Sequence, residues 1–147
     1  MRVLDQRKIP YSAHSYDDAI HSADGAAAAL GVPTEQVFKT LVVLRDKGRP
    51  LLVVVSGDRE LDLKRLATSV GEKRLRMSSR REAESLTGLL SGGISALALL
   101  DKGFAVCLDI SARQWEQIYV SGGQRGINLQ LKVGDFATVT GARFVEC

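Results

Sequence analysis

Cysteine is scarce: Cys107 and Cys147 are the only two in 147 residues. Two thiols give no disulfide framework, and their spacing is not that of a zinc site. Cys107 lies in the apolar run Phe104–Ile110 and is expected to be a small buried hydrophobe. Cys147 is the last residue, with nothing beside it in sequence to activate a thiol. Histidine is as rare, and His14 and His21 stand apart from any cysteine or carboxylate cluster, so neither a metal site nor a cofactor is expected. Aromatic residues are 5% of the chain, too few to suggest a base-stacking surface. No apolar run approaches the roughly 18 residues of a membrane span. The first residues, Met1–Lys8, carry charge where a signal peptide would have its apolar core. The expected location is cytoplasmic. A nucleophile elbow, a Walker loop and a dinucleotide fingerprint are all missing. Any catalysis therefore falls to positioning and electrostatic stabilisation, with water or the substrate itself as nucleophile.

The remaining composition is that of an ordinary globular domain, 45% apolar and 25% charged. A chain of this length buries roughly 68–70% of its unfolded surface, so residues 1–147 are expected to form a single domain. The net charge of +3 and pI near 9.0 are compatible with a polyanionic partner without demanding one.

Local signals alternate between strand and helix. A short helix is expected over residues 1–8, ending before Pro10, then a strand over Tyr11–Tyr16. An alanine-rich helix follows, with Ser22 or Asp24 as its cap and Gly31 and Pro33 as its stop. After a turn at Thr34–Gln36, the runs Val37–Leu44 and Leu51–Val55 flank the polar turn Arg45–Pro50 and predict a hairpin. Asp62 caps a helix through Val70, and Arg80–Leu86 predicts another. Thr87–Ala96 is a glycine- and serine-rich loop. Strands are expected near Phe104–Asp109, Gln117–Val120, Ile127–Lys132 and Ala142–Val145, with a short helix near Gly134–Thr140. No strict βαβ rhythm appears, so the predicted class is α+β, with a mixed, partly barrel-like sheet flanked by helices.

Three segments could carry chemistry, and a fourth could hold a polyanion. Lys39 begins a strand whose hairpin partner is apolar on both faces, placing the pair inside the sheet. Its ammonium either snorkels to water at the strand end or stands in a cleft holding a phosphate, carboxylate or oxyanion. Thr40 turns to the opposite face. In Thr87–Ser95, the adjacent Gly92 and Gly93 either form a plain flexible connection or aim amide groups at an anion. Tyr119–Gly126 is a second glycine turn, favoured as structural. The basic stretch Lys64-Arg65, Lys73-Arg74-Arg76 and Arg80-Arg81 is either a solvated face or a surface for phosphate contacts.

Taken together and in order, Val37-Phe38-Lys39-Thr40-Leu41, Leu61-Asp62-Leu63-Lys64, Thr87-Gly88 with Gly92-Gly93-Ile94-Ser95, and Tyr119–Gly123 resemble the YbaK/EbsC family. Members are related to the editing domain inserted in bacterial prolyl-tRNA synthetase. The resemblance implies that fold and a free-standing hydrolase for the ester of a mischarged tRNA. Cys-tRNA(Pro), or another small amino acid on tRNA(Pro), is the implied substrate. Such a second sieve exists because binding alone rejects small, similar amino acids poorly. By resemblance, Lys39, Gly92 and Gly93 are catalytic, and Tyr16, Thr40, Ile94, Ser95 and Asn128 bind substrate. Lys73, Arg74, Arg76 and Arg80 are assigned to the tRNA. The implied partners are the acceptor end of the mischarged tRNA and prolyl-tRNA synthetase, with no membrane. Two positions depart from the family: Ala96 replaces the proline closing the loop, and Asn128 replaces an aspartate. A non-catalytic tRNA- or synthetase-binding module of the same fold is the alternative. A small-molecule binding domain without an RNA role is a second.

Overall fold

The computed structural model describes residues 1–147. Eight strands are ordered β1 (Tyr11–Ser15), β2 (Val37–Arg45), β3 (Leu51–Ser56), β4 (Leu75–Met77), β5 (Ala105–Asp109), β6 (Gln117–Ser121), β7 (Ile127–Lys132) and β8 (Arg143–Val145). Five α-helices join them: α1 (Arg2–Gln6), α2 (Ala23–Leu30), α3 (Leu63–Val70), α4 (Arg80–Thr87) and α5 (Val133–Thr140). Across the sheet the strands run β1-β7-β6-β2-β3-β5-β8, and β4 pairs with β2. Parallel and antiparallel pairs mix, as expected, but the sheet is open: β1 and β8 lie at opposite ends and do not pair.

The hairpin predicted around Arg45–Pro50 is the centre of this sheet. Six residues of β2, Phe38 to Val43, oppose β3 without a bulge, and every residue of β3 is buried. The unbroken apolar run of β3 demands this, because helices and loops cover both faces. One face gives Phe38, Val42, Leu52 and Val54 to the larger core, with Leu108, Leu129 and Phe136. The other gives Val43, Leu51, Val53 and Val55 to a smaller core closed by Leu66 of α3. Each such side chain stabilises the fold by about 1.5–3 kcal/mol on burial.

Helix ends follow local chemistry. Ser22, not Asp24, caps α2, accepting from the Gly25 N–H at 3.0 Å. Asp62 caps α3 through the Arg65 N–H at 3.1 Å. For α4 the cap is a reciprocal box. The Ser79 hydroxyl accepts from the Glu82 N–H at 3.1 Å, and Glu82 accepts from the Ser79 N–H at 2.9 Å. Arg76 and this backbone hydrogen bond hold the Glu82 carboxyl at about 2, well below the usual carboxylate range. The short β4 lies in the basic segment, where no strand was expected. Cys107 is buried as predicted. Cys147 is buried too, beside Asp109, and its thiol is pushed up to about 12, chiefly by burial.

Candidate active site

The sheet places Lys39 beside an opening. On the edge of β2 away from β3, the parallel ladder with β6 stops at Phe38↔Val120, and the antiparallel ladder with β4 starts at Val43↔Met77. β6 and β4 thus part around the middle of β2, and a cleft of about 440 Å³ opens there. Lys39 and Thr40 both line it. Adjacent residues on a strand point to opposite faces, so the two side chains reach the cleft from opposite sides of the sheet. Lys39 is half-buried and has no carboxylate within ion-pair distance.

At one end of the cleft stand Tyr16 and Asn128. The Asn128 Nδ2 donates to the Tyr16 hydroxyl at 2.5 Å. Its Oδ1 is buried and has no partner, although Asn128 is only 5% exposed. A buried acceptor without a donor is costly, about 1–3 kcal/mol, and is satisfied by a ligand that brings an N–H or O–H. Burial raises the Tyr16 phenol above its usual range, more than the Asn128 bond lowers it, so it stays protonated at neutral pH. With its oxygen accepting from Asn128, its O–H remains free to donate.

The wall opposite β2 is the glycine loop. Gly92 lines the cleft at φ 87, and a Cβ added there would stand 3.1 Å from His21, a conformation and a closeness that both favour glycine. The two glycines divide their work. Gly93 faces away from the cleft, its N–H donates to the Leu90 carbonyl at 2.8 Å, and a Cβ there would stand 3.0 Å from the Arg125 amide. Gly93 thus lets two loops touch and has no amide to spare. The N–H groups of Gly92 and Ile94, which do line the cleft, make no hydrogen bond within the protein. Ser95 is also off the cleft: it is buried, and its hydroxyl accepts from the Ala98 N–H at the head of the turn Leu97–Lys102. Ala96 keeps φ at −61, the angle a proline would impose.

Ser91 anchors the loop twice. Its N–H donates to Glu84 of α4 at 2.7 Å, and its carbonyl accepts from Arg125 Nε at 2.6 Å. The second glycine turn, Gly122–Gly126, is therefore the buttress of the first, and its neighbour Ser121 reaches the cleft.

The basic residues separate. Arg80 lines the cleft mouth. Lys73, Arg74 and Arg76 line another, open concavity with Arg45 and Lys64. Within it Arg76 is engaged by Glu82 at 3.0 Å and Arg45 faces Glu72 at 3.7 Å, whereas Lys64, Lys73 and Arg74 have no acidic partner. Sequence reasoning missed His21, Ser22 and Asp24, which form the cleft wall at the start of α2, and Met77 and Ser78 at the other end. In sequence His21 has no ligand-like neighbours. Only the tertiary fold brings it to Gly92.

These features have relatives. The family described as "Aminoacyl-tRNA editing domain" matches residues 17–139, and this chain belongs to that family. It is 35% identical over 149 residues, covering 99% of this chain and 90% of the relative, to an Enterococcus faecalis protein provisionally named Cys-tRNA(Pro)/Cys-tRNA(Cys) deacylase EbsC. A crystal structure of a protein described only as hypothetical superposes with TM-score 0.90 and 25% identity, covering 99% of this chain and 95% of that one. Another, provisionally described as a trans-editing enzyme for prolyl tRNA synthetase, superposes with TM-score 0.83 and 25% identity, covering 97% and 90%. No helix is long and apolar enough to cross a membrane.

Proposed function

We propose that this protein hydrolyses the ester between a small amino acid and the terminal ribose of a mischarged tRNA, with tRNA(Pro) the expected carrier. The observation that carries this reading is the cleft in which an unpaired Lys39, the unbonded amides of Gly92 and Ile94, and the unpartnered Oδ1 of Asn128 converge. The names of the relatives support the same substrate class.

The chemistry follows from those groups. The aminoacyl end enters beside Tyr16 and Asn128, where Oδ1 accepts a hydrogen bond from the α-ammonium group. The ester carbonyl lies against the loop, and the amides of Gly92 and Ile94 donate to its oxygen as that oxygen gains charge. Donors fixed in place beforehand favour this developing charge over the ground state. The Lys39 ammonium holds the terminal nucleotide by a charge-assisted bond and orients the ester. A water, or a thiol or hydroxyl on the substrate, attacks the acyl carbon. The tetrahedral adduct collapses by breaking the acyl–oxygen bond, and the ribose oxygen leaves with the proton that the nucleophile gives up. Attack by water releases the free amino acid, and attack by the substrate's own side chain releases a cyclic ester or thioester that water then opens. Lys73, Arg74 and Lys64 receive backbone phosphates farther along the acceptor stem.

The test is single-turnover deacylation of Cys-, Ala- and Ser-tRNA(Pro) by the wild-type protein and by Lys39→Ala. A loss of about 100-fold or more in rate is expected, the usual effect of removing one positioned charged or oxyanion-stabilising group. Unchanged rates for all three substrates would sink the mechanism. Salt-dependent tRNA binding without turnover by the wild type would favour a non-catalytic module instead.

A further inference from the structure

The edge of β2 exposed by the parting of β6 and β4 carries peptide groups as well as side chains. In a strand, the N–H and C=O of one residue leave on the same side, and successive residues alternate sides. The Val42 carbonyl accepts from the Ser78 N–H at 3.1 Å on the β4 side, while the Val37 carbonyl accepts from the Gly57 N–H at 2.7 Å on the β3 side. The ladder with β3 is unbroken from Phe38 to Val43, so the alternation holds throughout. Thr40 therefore turns both its N–H and its C=O into the opening. Pairing with β6 has already ended at Phe38, and pairing with β4 has not begun. Inside a sheet nearly every such group is bonded, and Thr40 is half-buried in its centre.

We propose that the Thr40 peptide group reads the terminal adenine of the substrate, its N–H donating to a ring nitrogen and its C=O accepting from the exocyclic amine. This rests on the aminoacyl-tRNA reading above and deepens it. A donor and an acceptor held side by side need a rigid ligand edge with the opposite pair, and adenine presents an acceptor nitrogen next to an N–H donor. The other parts of the substrate end fit elsewhere. The α-ammonium group is a donor only and suits the lone acceptor Asn128, and the ester carbonyl is an acceptor only and suits the loop amides. Leu41 and Met77, both half-buried in the lining, flank the opening with apolar surface for a flat base, and Arg80 stands at the same end for a phosphate. The amino acid varies between substrates, but the terminal adenosine does not. An anchor made of main chain would hold any of them at one place, leaving the Tyr16–Asn128 end to judge the acyl group.

The test uses amide hydrogen exchange by NMR with two non-hydrolysable compounds. One is 3′-alanylamino-3′-deoxyadenosine, and the other is its purine-riboside counterpart lacking the exocyclic amine. The Thr40 amide is expected to exchange quickly for a central strand and to slow at least tenfold when the adenosine compound saturates the protein. The purine compound should bind about 3–10-fold more weakly, the worth of one net hydrogen bond. An unchanged Thr40 rate at saturation, or equal affinities, overturns the inference even where mischarged tRNA is still deacylated. A protein that binds neither compound and deacylates no mischarged tRNA overturns the aminoacyl-tRNA reading, and this inference with it.

Discussion

Asn128 and Tyr16 form one unit: Nδ2 donates to the phenol oxygen at 2.5 Å, while Oδ1 has no partner in the protein and the phenol proton is not used in that bond. The pair offers one acceptor and one donor, and neither group carries charge at neutral pH. Asn128→Ala removes the acceptor and the bond that orients Tyr16. It should lower kcat/KM for deacylation about tenfold or more, since a buried polar group loses its partner. Asn128→Asp adds a charge beside the phenol and should push the already raised Tyr16 pKa higher, because a nearby carboxylate disfavours phenolate. Absorbance titration of the tyrosines reads that shift, and a three-substrate panel reads the change in amino-acid preference. In the native protein Tyr16 should contribute no loss of activity across the neutral range, and a fall only as the phenol ionises above its ordinary range, because burial holds it protonated.

Gly93 and Arg125 support the loop from behind. In Gly93→Ala the new methyl group would stand 3.0 Å from the Arg125 amide, so the two turns must separate. The expected cost is about 1–3 kcal/mol, as for other overpacked sites, seen in denaturant unfolding. Arg125→Ala removes the 2.6 Å bond to the Ser91 carbonyl without adding bulk. It should lower kcat with less effect on overall stability. Faster amide exchange at Gly92 and Ile94 would confirm that the loop itself has loosened, and unaltered exchange with lost activity would contradict it.

Ala96→Pro should stabilise the protein. Its φ of −61 already suits proline, and its N–H donates to no protein acceptor. The substitution narrows the unfolded ensemble and should add about 0.4–1 kcal/mol, raising Tm by a few degrees while leaving deacylation intact. A lower Tm would mean that the core around Leu97 and Leu99 has no room for the ring.

Removing Lys73 and Arg74 together should weaken tRNA binding equally for every acyl group and reduce the slope of log Kd against log salt by about 1–2. Arg76→Ala should change that slope less, because Glu82 already neutralises Arg76. A filter-binding series at several salt concentrations distinguishes the two. Equal slopes for all variants would remove this concavity from the tRNA path.

Much of the frame was legible because it rests on local chemistry. The apolar runs of β2 and β3, the caps Ser22 and Asp62, and the glycine stops each act over a few residues. β4 was missed because three residues in a basic stretch make no periodic pattern. The site was legible only in part. Lys39, Thr40, Gly92, Ile94, Tyr16, Asn128 and Arg80 do meet in one cleft. Gly93 and Ser95 stand next to the right residues in sequence but are committed to turns, a distinction that depends on which way each amide or hydroxyl points. The gap in the edge of β2 arises from the registers of β4 and β6, separated by some 40 residues of chain, and no short window contains it.

The double anchoring of Ser91 has a consequence for how the proposed deacylase would select its substrate. Glu84 and Arg125 hold the peptide groups before and after Ser91 without any substrate present, so the loop is a finished mould and not a lid that closes. A mould rejects by misfit at the first encounter. Errors should therefore rise smoothly as an amino acid approaches the accepted size, with no threshold at which a wrong substrate triggers the right shape.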